Sequence, residues 1–168
     1  MQNRTKSAPL RHAGEWRVSF LRKTMTAQRA EIFINSHPNF DVGDIKLFEI
    51  IGYEIKAEIE KQEKAFTTSL WRGFIGTYEL NPSGTLYLVK VSVFTGQRNK
   101  EFKDTDVSEK IEGNFVLDFR ERFFGDRLFV PFENGKVILD QSKWYKEKGF
   151  RGDSGLIDEL FPNISTKS

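Results

Sequence analysis

Residues 71–94 read WRGFIGTYEL, then NPSG, then TLYLVKVSVF, and this stretch decides the fold. Two runs rich in aromatic and β-branched residues flank a turn with Pro at its second position and Gly at its fourth. That is the composition of a type I turn closing a hairpin. Pairing Leu80 with Thr85 sets Tyr78 opposite Tyr87, Gly76 opposite Val89, Phe74 opposite Val91 and Arg72 opposite Val93, a face that reads as core. The other face sets Thr77 against Leu88, Ile75 against Lys90 and Trp71 against Phe94. Its mixture of Trp and Ile with Lys and Glu predicts a surface that is half covered or binds something.

Working outward from the hairpin, period two dominates. Toward the C-terminus, residues 95–109 are polar and unpatterned and read as a long loop. Ile111, Gly113, Phe115, Leu117 and Phe119 then alternate with mostly polar neighbours, the pattern of an antiparallel strand buried on one side. Arg127–Glu133 and Lys136–Asp140 flank Asn134–Gly135, a type I′ turn signal that sets Glu133 against Lys136 and Phe132 against Val137. Pro131 has no N–H to give a ladder, which predicts an edge strand. Gln141–Lys148 reads as a short helix carrying Trp144, and residues 149–168 as a loosely held tail.

Toward the N-terminus, Ala30–Ile34 reads as a strand closed by the turn-forming Asn35–Ser36–His37–Pro38–Asn39. Residues 44–64 carry two periods at once. Ile51, Ile55 and Ile59 recur every four, as in a helix, while Tyr53, Ile55, Ala57 and Ile59 alternate, as in a strand. Strands fit the surroundings better, with Gly52 placed for a bulge. The sum is an all-β, mainly antiparallel domain over residues 25–148: a small barrel or sandwich of seven or eight strands with a short C-terminal helix.

A chain of 168 residues is long enough to bury a real core, and its sixteen Phe lean toward sheet. The absence of Cys removes disulfides, thiolate nucleophiles and Cys-based zinc sites, and fits a reducing cytoplasm. No apolar run approaches the ~20 residues of a membrane helix. Within residues 1–24, Arg4, Lys6, Arg11, Arg17, Arg22 and Lys23 stand against Glu15 alone, a net +5; the whole chain's +2 then leaves −3 for residues 25–168. The basic stretch reads as a disordered leader or as translation from an upstream start, since Met25 directly precedes the first strand. Trp16, Val18 and Phe20 keep a docked extra strand open. A mildly acidic folded part disfavours a nucleic-acid partner.

Catalytic constellations are missing. Outside the leader, His37 is the one His, set beside Pro38 in a turn; no Gly-x-Ser-x-Gly, Walker or Gly-x-Gly-x-x-Gly pattern occurs. No metal or cofactor is implied. Two clusters have the composition of binding sites. Trp71–Arg72 opens the central hairpin and puts Arg72 on the face of Tyr78, where a guanidinium must find a carboxylate, a ring or an external anion. Arg120, Arg122, Phe123, Phe124 and Arg127 crowd one turn, a mix found in protein interfaces and in single-strand RNA sites.

Residues 67–91, TTSLWRGFIGTYEL followed by GTLYLVKV, resemble a group of bacterial proteins with a Ser/Thr run, Trp-Arg-Gly-aromatic and then Leu-Tyr-Leu. The resemblance implies a bacterial, cytosolic protein and no particular activity. The expectation is a non-enzymatic binding protein of the immunity or inhibitor kind, with another protein as partner. Its rivals are a carboxylate-based enzyme with an Arg-lined anion site and an RNA or single-stranded nucleic-acid binder.

Overall fold

The central hairpin forms the middle of one of two packed sheets in a computed structural model that describes residues 31–53, 74–94, 102–121, 125–146 and 155–164. Sheet I runs in the order β1 (Ile32–Asn35), β3 (Phe74–Leu80), β4 (Leu86–Phe94), β5 (Phe102–Lys110). Sheet II runs β2 (Lys46–Ile51), β6 (Phe115–Arg120), β7 (Arg127–Glu133), β8 (Lys136–Val137), with β9 (Lys143–Tyr145) also on β7. The architecture is therefore an all-β sandwich, not a closed barrel. All pairings between these strands are antiparallel except β1 with β3.

The hairpin forms where expected, but in a different register. Leu80 opposes Leu86, because the loop extends to Thr85. Asn81 Oδ1 accepts the backbone N–H groups of Ser83 at 3.1 Å and Thr85 at 2.9 Å, and Gly84 takes φ +81°. The Asn81–Gly84 turn itself closes, the Gly84 N–H donating to the Asn81 carbonyl at 2.9 Å, but the loop takes in Thr85 as a fifth residue. Further along, Tyr78 opposes Leu88 while Thr77 opposes Lys90, so Val89 is bulged out. The bulge reverses the alternation. Leu86, Leu88, Val91 and Val93 all reach the core, while Lys90 and Ser92 stay out of it. The expected core places for Tyr87 and Val89 are overturned.

Five further expectations are corrected. Most of the 95–109 stretch read as loop is instead β5 (Phe102–Lys110), the outer strand of sheet I, exposed on most of its length and so with little hydrophobic signature. The strand read from Ile111 begins at Phe115 and is buried on both faces. Pro131 sits in the interior strand β7, not at an edge. Its carbonyl accepts the Ile138 N–H at 3.0 Å, so its nitrogen faces the same side, in the gap between β8 and β9 where no ladder donor is needed. Trp144 lies in β9 after a 3₁₀ turn at Leu139–Gln141, not in a helix, and β8 stops at Val137. The Asn134–Gly135 turn does form as read, with φ +49° and +73°, Glu133 against Lys136 and Phe132 against Val137.

The inner faces of both sheets meet in one core that includes Tyr78, Leu88 and Val91 from sheet I and Leu47, Phe115 and Phe132 from sheet II. Each such side chain contributes about 1.5–3 kcal/mol by leaving water. Phe115 and Phe132 stack with centroids 4.5 Å apart. The outer face of sheet II is covered by the short helix α1 (Leu156–Leu160) and the residues after it. Ile157, Phe161 and Ile164 pack on Val116 and Phe129. The stretch expected to hang loose after Gly149 thus includes a packed segment. Tyr53, past the end of β2, donates its hydroxyl to the Glu109 carboxylate of β5. Burial, helped by Glu109, raises the Tyr53 phenol above its ordinary value.

Candidate interaction surface

The Arg and aromatic residues singled out in the sequence are, where described, internal. Tyr78 is buried, its ring folded over Gly76, where an added Cβ would lie 2.6 Å from Tyr78 Cε2. Asp118, Arg120 and Arg127 are 0%, 6% and 1% exposed on the outer face of sheet II. Arg120 donates from Nε at 3.0 Å and Nη2 at 2.8 Å to Asp118 Oδ2. Arg127 donates from Nη2 to the same oxygen at 2.9 Å and from Nε to Oδ1 at 3.3 Å. Arg120 also stacks 3.8 Å above the Phe48 ring, and Arg127 lies 4.7 Å from the Phe129 ring centre. The register explains the meeting: Arg120 pairs with Arg127 and Asp118 with Phe129, so alternation brings all four to one face. Asp118, which sequence reading passed over as one polar residue in a strand, is the group that ties the two arginines down. Trp71, Arg72, Arg122, Phe123 and Phe124 lie outside the described residues, as does the basic stretch 1–24.

His37 accepts the Asn39 backbone N–H on Nδ1 at 3.3 Å, a turn contact. Among the described residues no group of three or more His, Asp or Glu is placed to hold a metal.

What faces water instead is apolar. Ile32 and Ile34 on β1 are 52% and 50% exposed, and Trp144 on β9 is 63% exposed. Among the described strands β1 ends sheet I, and its two exposed isoleucines bracket Phe33, which packs on the core. At the start of β1 a groove of about 600 Å³ opens, walled by Glu31, Ile32, Phe33, Val42, Asp44 and Lys46, with Ile75 and Leu47 behind. A smaller groove of about 350 Å³ lies beside α1, where Lys143 already donates to the Leu160 carbonyl and sits 4.9 Å from the Phe161 ring centre.

The signal for β1 was present in the sequence. Ile32–Phe33–Ile34 is apolar at every position, so one face of the strand is either covered or left exposed. Only the sheet order tells which. No family model matches this chain, nor does any characterised protein or solved structure.

Proposed function

We propose that this chain is a non-enzymatic binding protein of the bacterial cytosol, of the immunity or inhibitor kind, that engages a partner protein along the free side of β1. The observation that carries the reading is the pair of exposed isoleucines on an end strand. Natural end strands are guarded by charges, bulges or Pro, because unpaired backbone groups invite another strand. β5, the opposite end of the same sheet, follows that rule with Lys103, Asp104, Asp106, Lys110 and a bulge. β1 is short, at four residues, yet carries no charge on its exposed face. Adding a partner's strand there would complete the ladder and cover Ile32 and Ile34 together.

The cytosolic and bacterial part of the reading rests on the absence of Cys and on the resemblance of residues 67–91. Of the arginines that the anion-binding enzyme or the RNA binder would use, Arg120 and Arg127 are committed to Asp118, while Arg72, Arg122 and the basic stretch 1–24 lie outside the described residues.

The test places a photo-crosslinking residue at Ile34 in one protein and at Asp106 in another, in the cells that make the chain. One defined protein should attach to position 34 and not to position 106, and Ile32→Lys should abolish the product. Equal labelling from both positions, or a product indifferent to Ile32→Lys, would refute the reading.

A further inference from the structure

We infer that Asn134–Gly135 is a self-modification site, a deamidation switch that Gly113 and Asn114 hold closed in the folded chain and that opens when this end of sheet II comes apart. It stands apart from the reading of β1 and concerns the turn that sets the register of β7 with β8.

Asparagine is a labile side chain, and a following glycine leaves the backbone nitrogen open to close approach. The Gly135 nitrogen, once deprotonated, bonds to Cγ of Asn134. The Cγ–Nδ2 bond breaks, and the amide leaves as ammonia with the proton that the nitrogen gave up. Water then opens the cyclic imide at either carbonyl. One opening gives aspartate on the original backbone; the other gives isoaspartate, with the chain routed through Cβ. Water is the only other reactant. Asn134 is exposed, so ammonia leaves and water enters without hindrance.

The fold withholds the nucleophile. Gly135 is buried, and its N–H donates to the Gly113 carbonyl at 2.8 Å. The Asn134 N–H donates to Asn114 Oδ1 at 2.9 Å. Both N–H groups of the turn are thus tied to one neighbouring loop. Deprotonating Gly135 means giving up its hydrogen bond. Bringing its nitrogen to Cγ means turning the peptide out of the type I′ geometry, with φ at +49° and +73°. Amide exchange and deamidation pass through the same deprotonation, so what protects against one protects against the other. Withdrawal of the loop removes both restraints together. The products then differ. Aspartate keeps the backbone and tolerates the left-handed region. Isoaspartate adds a backbone atom to the turn, which breaks the pairing of Glu133 with Lys136 and Phe132 with Val137. Phe132 stacks on Phe115 in the core, so the isoaspartate chain loses its way back to the native packing.

The experiment keeps the full chain at mildly alkaline pH, native and in concentrated urea, and follows Asn134 by peptide mass spectrometry. Conversion in urea should be about tenfold faster or more, and the Gly135 amide in the native chain should be protected from exchange by a similar factor. Asn114→Ala removes one of the two restraints and should speed native conversion about threefold to tenfold while circular dichroism still reports a folded chain. Where that variant fails to fold, the match between Gly135 exchange and native conversion decides alone. After removal of urea, chains carrying aspartate should refold and chains carrying isoaspartate should not. No conversion in urea would overturn the site. Equal rates in urea and in native buffer, or a folded Asn114→Ala chain converting no faster than the parent, would overturn the restraint by the loop. Full refolding of the isoaspartate form would overturn the switch.

Discussion

The outer face of sheet II and the β1 side of sheet I, which no described strand pairs, invert the usual placement of residues. On sheet II, Asp118, Arg120 and Arg127 are sealed from water; on β1, Ile32 and Ile34 face it. Composition alone points the other way, because arginines among aromatics look like a binding surface and an Ile-Phe-Ile run looks like core. The difference teaches that a charge is a candidate site only once its partners are known. Here the two guanidiniums converge on one carboxylate and two rings, which is a structural arrangement. The isoleucines have no such account within the described fold, and that is what makes β1 the candidate.

The largest effect expected from this contrast is at Asp118. Asp118→Ala leaves two guanidiniums buried without their shared acceptor, a loss of about 3–5 kcal/mol. In a chain of this length it should lower the melting temperature by about 10 °C. A variant as stable as the parent would break the structural reading of the cluster. Next comes a turn remote from both regions. Gly135→Val forces a β-branched residue to φ +73° and puts Cβ 3.2 Å from the Ile111 carbonyl oxygen, costing about 1–3 kcal/mol in chemical denaturation. Unchanged stability would contradict the type I′ geometry. The smallest effect belongs to β1. Ile34→Lys should shift stability by no more than about 0.5 kcal/mol, because the side chain is half exposed already. A large loss would mean that Ile34 belongs to the core, and would remove the contrast.

The parts of the fold legible in the sequence are those where local chemistry dictates geometry. Asn134–Gly135 needs positive φ at both positions, so turn and register follow together. The parts that misled are those where a neighbour decides. Residues 102–110 form a strand because β4 offers an unpaired side, and their polar sequence records only that they are outermost. Pro131 is tolerated inside a sheet because β8 ends and β9 begins beside it. Val89 bulges because Lys90 would otherwise enter the core, which the spacing of Leu86, Leu88, Val91 and Val93 encodes as a change of phase. The candidate surface was hidden for the same reason: residues 32–34 announce a strand, but not that it ends the sheet.

The most direct measurement is amide hydrogen exchange along β1 in the full chain without any partner. The account predicts alternation: the Ile34 amide, directed to β3, slowed about tenfold or more relative to its neighbours, with Phe33 and Asn35 exchanging near unprotected rates. Equal protection of all three would show that the free side of β1 is already paired, and would contradict its assignment as the binding edge.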